Sequence, residues 1–394
     1  MSSEQDFNIQ SSSQYAEDYP SNTGRRKNKR HHSMMWVMIC FMVCVTVICV
    51  TVVLTDRIDF KKDNENNIPV SAEATLPDDR EVVLTRDELD AMLEDAAAQA
   101  IAEAEADREQ AVESARAEIL GGIMTGLSTG DETTVEVLRP YYPDYIVAVS
   151  NGNFHFVPIN RELKLNSYSD ENLNILECGE YQYMDGANVI SHKGIDVSRF
   201  QGNIDWNAVA QDGVEFAFIR VANRGYGTGK LVEDEKFEAN LEGAMGAGIH
   251  VGVYVFSQAI TEEEVLEEAG LVLDKLAPYN VKCPIVIDVE KTLDSTGRMN
   301  QLSVEERTNL TLLFCQTIEQ AGYKPMIYHN LEMGAVLIDI ETLEGYDKWF
   351  AYYNDDMYYP YEYKIWQYSD KGKVNGIGSD VDLNISFSAF WEEY

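Results

Sequence analysis

The sequence predicts an α/β fold whose main body is a modified (β/α) barrel of eight strands and five helices, preceded by a transmembrane helix, a helical stalk and a small β-rich module. Three observations carry this. From Lys193 onward, short apolar runs alternate with longer segments that open on acidic residues, the rhythm of strand and helix in turn. The run Cys283-Pro-Ile-Val-Ile-Asp-Val-Glu290 is an apolar strand that ends on two carboxylates two residues apart. The spacing between runs leaves room for helices after the early strands and not among the last three, which trims one end of the barrel.

Taken in order, residues 1–33 are rich in Ser, Gln, Asn and charge and read as a disordered cytoplasmic tail. Residues 34–54 contain no charged side chain and are long enough to cross a bilayer as a helix. Arg25, Arg26, Lys27, Lys29 and Arg30 precede this run and an acid-rich stretch comes after it, so the positive-inside rule places the amino terminus in the cytoplasm and the rest outside. A cleaved signal peptide is the competing reading; the long polar leader and the lack of a small-x-small site after the run count against it. The expected localisation is therefore a single-pass protein of the cell membrane with an extracellular barrel. Residues 55–130 read as a linker and an Ala/Glu-rich helical stalk, capped by Thr85 with Glu88 three residues on and stopping at Gly121-Gly122. Leu89, Met92, Leu93, Ala96, Ala97, Ala100 and Ile101 suggest a stripe through which stalks could self-associate. Residues 131–190 read as the β-rich module, with a hairpin of 145–150 and 153–158 about Asn151-Gly152.

Residues 191–394 read as the barrel. Strands are predicted at 194–198, 215–222, 250–256, 284–290, 325–329, 348–352, 363–368 and 381–385, with helices at 204–211, 233–247, 261–276, 303–321 and 331–343. The last three strands are too closely spaced to hold helices between them.

Composition narrows the classes of function. The chain has 31 basic and 67 acidic residues; five basic and four acidic ones precede the apolar run, so the remainder of the chain carries 26 and 63, a net charge of −37. Such a surface repels nucleic acid and anionic polymers, so retention at a membrane must come from the apolar helix. Cys40, Cys44 and Cys49 lie in the apolar run, and Cys178, Cys283 and Cys315 are too widely spaced for a disulfide framework or a zinc site. They read as buried thiols, with one disulfide open as an alternative. The six histidines offer no His-Glu-x-x-His, so neither a metal nor a cofactor is expected.

The chemistry gathers at strand ends. Strand side chains alternate, so Asp288 and Glu290 project from one side. Mutual repulsion and partial burial should leave one of them protonated near neutral pH and the other charged. That is the equipment for cutting a glycosidic bond, one acid protonating the leaving oxygen and a carboxylate managing the charge that develops on the sugar. Asp196 on the first strand and Asp382 on the last bring the acids to four. Arg220, Tyr254, Phe256, Tyr328, Trp349, Tyr352 and Trp366 make up the candidate substrate-binding set, since flat apolar faces with polar edges suit sugar rings.

The motifs Lys193-Gly-Ile-Asp-Val-Ser-Arg-Phe-Gln-Gly-Asn-Ile-Asp-Trp206, Val286-Ile-Asp-Val-Glu290, Trp366-Gln-Tyr-Ser369 and Val381-Asp-Leu-Asn384, in this order, resemble the signatures of glycoside hydrolase family 25, the cellosyl-type lysozymes. The resemblance covers 193–394. It implies N-acetylmuramidase activity on peptidoglycan glycan strands, with Glu290 as acid/base, Asp288 as its partner acid, and Asp196 and Asp382 as further aspartates of the site. Many members carry Tyr-His-Phe at the end of the third strand; here Tyr254-Val-Phe256 stands, so any role of that His is absent. Acids at i and i+2 on one strand point in similar directions, which favours a mechanism assisted by the substrate's 2-acetamido group over a covalent intermediate on Asp288. Two other readings are a catalytically silent wall-binding module that links membrane to wall, and a chitinase-like barrel, against which the lack of an Asp-x-x-Asp-x-Asp-x-Glu run counts. All four acids and all eight strands lie within 189–394, so that fragment is expected to be soluble and active by itself.

Overall fold

The computed structural model describes residues 85–393. They fall into two compact units, one holding the described residues up to Thr125 and the other beginning at Gly126. The apolar run at 34–54, with the tail before it and the linker after it, lies outside the described residues, among which no helix is long and apolar enough to cross a membrane.

The first unit is most of one helix, α1 (Arg86–Thr129). Its start rests on Thr85, whose hydroxyl accepts from the Glu88 amide at 3.4 Å while the Glu88 carboxylate accepts from the Thr85 amide at 2.8 Å. That reciprocal pair satisfies two of the amides a helix start leaves open. The helix does not stop at Gly121-Gly122 but runs on to Thr129. Each glycine costs about 1 kcal/mol against alanine, too little to break a long helix that continues into Ile123 and Met124. None of its side chains is buried.

The second unit opens with α2 (Thr134–Leu138), capped by Thr133 and Glu136. Then comes the hairpin β1 (Tyr145–Ser150) and β2 (Asn153–Pro158), in register from Tyr145 opposite Pro158 to Ser150 opposite Asn153. Asn151 and Gly152 both hold positive φ, 51° and 74°, which a two-residue turn matched to strand twist requires. A three-stranded antiparallel sheet comes next: β3 (Leu173–Ile175), β4 (Tyr181–Asp185) and β5 (Asn188–Val189).

The barrel is built from β6 (His192–Val197), α3 (Trp206–Gln211), β7 (Phe216–Arg224), the short β8 (Leu231–Glu233), α4 (Phe237–Gly246), β9 (His250–Ser257), α5 (Glu262–Leu276), β10 (Ile285–Val289), α6 (Val304–Gln320), β11 (Pro325–Asn330), β12 (Asp347–Ala351), β13 (Ile365–Gly372) and β14 (Val381–Ser386). Strand order is β6-β14-β13-β12-β11-β10-β9-β7, and a β6–β7 pairing closes the ring. All eight predicted strands are present; β8, an antiparallel flap on β7, was not foreseen. β14 alone among the eight is antiparallel to both of its neighbours. The residues between β13 and β14 are too few for a crossover, so the chain can only turn back. The predicted fifth helix, 331–343, is replaced by a single wide turn, Met333–Leu337. There the Arg307 guanidinium donates to the Leu337 carbonyl and the Thr308 hydroxyl accepts from the Asp339 amide, so α6 takes the groups a helix would use to propagate.

Two apolar layers hold this body. Ile285, Ile287 and Val289 of β10 face the helices, while Val286 joins Phe216, Phe218, Tyr254, Met326, Tyr328, Trp349, Ile365 and Phe390 inside the ring. Gly194 is required there, since a Cβ would fall 2.1 Å from the Phe216 ring. Of the three cysteines, Cys283 and Cys315 are buried thiols as expected, but Cys178 is exposed and no disulfide links any of them.

Residues 131–190 pack directly on the barrel. Arg139 pairs with Asp356 and donates to the Tyr352 hydroxyl at 3.1 Å, and the Val147 amide of the hairpin donates to the Tyr358 hydroxyl at 2.6 Å. Tyr181 stacks on Tyr368 at 4.2 Å and meets Trp366 edge-on at 5.4 Å; Tyr168 stacks on Phe387 at 3.8 Å. Burying each such ring is worth roughly 2 kcal/mol. This changes the expectation for 189–394. That fragment should expose Trp366, Tyr368 and Phe387, bind the dye ANS and melt at least about 10 °C below the fragment that begins at Gly126. Equal melting temperatures would show that the packing adds nothing.

Candidate active site

The interior row of β10 runs Val286, Asp288, and on past the strand's end to Glu290. It carries the acids into the mouth of the ring by simple alternation. Asp288 pairs in register with Phe256 of β9 and Tyr328 of β11. Asp196, near the end of β6, stands opposite Asp382 at the start of β14. Because β14 runs backwards, its beginning lies at the same mouth as the carboxyl ends of the other strands. Asp196, Asp288 and Glu290 are buried, and Asp382 is half-buried beside them.

Burial without solvation penalises charge, and all four carboxyls are shifted up by it. Asp288 is raised well above its ordinary value, first by burial, then by the charge of Glu290 and by the hydrogen bond it shares with Glu290. Glu290 is pushed up to about 7, by burial against the relief of that same hydrogen bond, with Asp196 adding repulsion. Asp288 thus holds its proton more tightly and donates to Glu290. Asp382 is likewise raised well above the usual range by burial and by Asp196, with which it shares a hydrogen bond. Asp196 is raised by burial, although hydrogen bonds from Asn384, Gln367 and Asp382 pull the other way.

Those amide donors escaped the sequence reading. Gln367 donates to the Asp196 carboxylate at 2.8 Å and Asn384 to the same oxygen at 2.9 Å. Their orientation is forced from behind. The Trp349 indole, which can only donate, gives its N–H to the Asn384 carbonyl at 2.7 Å, so the amide nitrogen must face Asp196. The Tyr328 and Tyr353 hydroxyls each donate to the Gln367 carbonyl at 2.8 Å. Both amides lie inside sequence motifs, Trp366-Gln-Tyr-Ser369 and Val381-Asp-Leu-Asn384. Their alternation with Trp366 and Val381 was the available signal.

The candidate substrate-binding residues divide. Tyr254 is buried among the acids and feels Arg220, Asp196, Asp288 and Asp382. Phe256 is half-buried beside Asp288. Arg220 is buried and committed to Asp234, 2.8 Å away, with its guanidinium over the Phe200 ring, while its charge still reaches Asp288. Trp349 and Tyr328 lie inside the ring as the orienting layer beneath the acids, Trp349 stacked on Phe218 at 4.7 Å. Trp366 and Tyr352 are not brought to the acids. Trp366 sits on the outer face of β13, its N–H given to the Tyr352 carbonyl at 2.8 Å and its ring against Tyr181. The Tyr352 hydroxyl is bound by Arg139 and Asn354. Strand parity separates Trp366 from its neighbours Ile365 and Gln367, which point inward.

The fold is thus an α/β barrel, a closed ring of eight strands with paired carboxyls at its mouth. The sequence model for glycosyl hydrolases family 25 matches residues 195–377. The autolytic lysozyme of Clostridium acetobutylicum is 28% identical over 197 residues, which is 49% of this chain and 55% of that one. YegX of Escherichia coli, an uncharacterized protein, is 31% identical over 207 residues, 49% of this chain and 68% of that one. The Clostridium perfringens spore cortex lytic enzyme SleM superposes with a TM-score of 0.46 at 23% identity, covering 52% of this chain and 70% of that one. The chain belongs to glycosyl hydrolases family 25. It spans about half the length of the Clostridium acetobutylicum lysozyme, and Asp382, Asn384 and residues 131–190 lie outside the matched segment.

The buried acids carry a testable cost. A carboxyl whose folded pKa is raised keeps its proton while the unfolded chain releases it, so stability falls as pH climbs above the ordinary carboxylate range, about 4. Asp382→Asn keeps a donor for Asp196 and removes the titration. Its melting temperature should exceed that of the parent by several degrees at pH 8 and by little at pH 4.5. A difference that does not vary with pH would contradict the protonated state of Asp382.

Proposed function

We propose that this protein is a membrane-anchored, extracytoplasmic N-acetylmuramidase that hydrolyses the β-1,4 bond between N-acetylmuramic acid and N-acetylglucosamine in peptidoglycan. The observation that carries this reading is the Asp288–Glu290 pair, buried and sharing a hydrogen bond at the mouth of the ring. Glu290 titrates near neutral pH, where a group can both give and retake a proton. It protonates the leaving oxygen. Asp288 has one buried carboxyl oxygen, Oδ1, with no hydrogen-bond partner among the described residues, and this is the acceptor offered to the substrate's acetamido N–H. As the acetamido oxygen closes on the anomeric carbon, positive charge grows beside Asp288. Its proton passes along the shared hydrogen bond to the Glu290 carboxylate, leaving the negative charge on Asp288 where the cation forms. Water then attacks the same carbon, its proton going to Glu290 as the first proton returns to Asp288, and configuration is retained. The relatives that bear the word lysozyme support the substrate class.

Mass spectrometry of fragments released from purified peptidoglycan tests the bond. Muramic acid at the new reducing end is expected, and glucosamine there, or no release, would refute the assignment. Glu290→Gln should lower the rate about a hundredfold or more with the fold intact. The parent rate should fall as pH rises through about 7, where Glu290 loses its proton.

The proposed topology rests on the charge pattern around 34–54. Protease added to intact wall-free cells should digest the barrel and spare the tail; a protected barrel would reverse the orientation.

A further inference from the structure

Glu290 lies just past the end of β10, beyond the last ladder pairs on either side, Val289 with Ser257 of β9 and Asp288 with Tyr328 of β11. Soon after it, residues 293–296 are exposed. The acid thus stands where a buried strand gives way to a surface loop, and no ladder holds its main chain. A side chain does so instead. Gln258, just past the end of β9, donates from Nε2 to the Glu290 carbonyl at 3.0 Å. The β9–β10 register sets Gln258 beside Glu290 as it sets Phe256 beside Asp288, and Gln258 is fully buried. A carbonyl can only accept, so the amide nitrogen must face Glu290 and the amide cannot turn over. Its Oε1 is then left buried with no hydrogen-bond partner among the described residues. An unsatisfied buried acceptor costs the fold stability, so packing alone does not account for a glutamine here. The residues on either side of Gln258 are fixed in turn. The Ser257 hydroxyl donates to Glu268 of α5 at 2.7 Å and accepts from the Ala259 amide at 3.4 Å, and the other Glu268 oxygen accepts from the Arg224 guanidinium at 2.7 Å. Ser257, Ala259 and Glu268 are all fully buried.

Resting on the reading of Glu290 as proton donor, we propose that Gln258 is a positioning residue: braced by Ser257 and Ala259, its amide takes over from the ladder where β10 ends and fixes the Glu290 main chain, so that the carboxyl stays against Asp288 at the mouth. The groups that act on Glu290 there are Asp288 on its own strand and Asp196 from β6, and Glu290 in turn acts on Asp382 of β14 and Tyr328 of β11. A Glu290 released from Gln258 follows the loop toward water. It then loses the burial that is the largest cause of its raised pKa. The hydrogen bond with Asp288 works the other way and is the smaller cause, so the midpoint falls from about 7 toward the ordinary carboxylate range.

The test uses the full chain in detergent micelles, with kcat and KM measured on soluble peptidoglycan fragments. Glutamate side chains are labelled with 13C, the Glu290 signal being identified by its loss in Glu290→Gln. Gln258→Met keeps the length of the side chain and removes the donor. It should lower kcat about tenfold to a hundredfold, as a misplacement of about 1 Å does. KM should stay within about twofold of the parent's, because the contacts that bind substrate are untouched. The Glu290 midpoint should fall by about one unit. A folded variant in which either kcat or the midpoint stays at the parent's value overturns the proposal, since an amide that only packs would change the melting temperature and neither of these. If Gln258→Met does not fold by circular dichroism, Gln258→Asn, whose donor is one methylene short of the carbonyl, is judged by the same two readings. The midpoint is read without turnover, so in a chain that never hydrolyses peptidoglycan it decides alone. A lowered midpoint there would uphold this placement while refuting the proposed reaction, and an unmoved one would refute both.

Discussion

Four carboxyl groups gathered at one mouth, three of them buried and Asp382 half-buried, are the constraint around which the rest of the barrel is arranged. Four charges in that volume, with little solvent, would be prohibitive. The molecule meets this by leaving protons on them and by supplying donors where charge is kept. Asp288 and Asp382 hold theirs most firmly. Asp196 receives two amide N–H groups from Gln367 and Asn384. The interior aromatics, which look like packing, fix those amides: the Trp349 indole donates to Asn384 and the Tyr328 hydroxyl to Gln367. Core and site are therefore one hydrogen-bonded structure.

The reversal of β14 is the second condition. In a ring of eight parallel strands, the second residue of the last strand would lie at the far end from the other acids. Running antiparallel, β14 sets Asp382 opposite Asp196 and Asn384 opposite Gly194, whose lack of a side chain admits Phe216. The short link between β13 and β14 thus decides the chemistry of the site as well as the topology.

The residues before the barrel bear on the same point. Arg139, Ser150 and Tyr181 reach the loops and strands at the mouth and outer wall, and through Glu332 and Lys291 the hairpin touches the segment that bears Glu290. Packing this extensive gives a physical reason for treating 126–393 as the working unit.

Much of this was legible in the sequence because it rests on period and spacing. Eight strands, the hairpin turn at Asn151-Gly152, the Thr85 cap and the shared face of Asp288 and Glu290 all come from alternation and local hydrogen bonding, which neighbours in the chain decide. α1 runs past Gly121-Gly122 because two glycines cost a long helix too little to end it. The wide turn at Met333–Leu337 could not be read, since Arg307 and Thr308 from another helix end it. The destinations of Trp366 and Tyr352 were equally hidden: an aromatic residue at a strand end has the same local pattern whether it faces a substrate or Tyr181, and only the packing of residues 131–190 on the barrel chose. By itself the sequence determined which residues share a strand and a face. Which acid keeps its proton and which aromatic is covered were decided by the tertiary structure, because each depends on groups brought together from distant parts of the chain and removed from water.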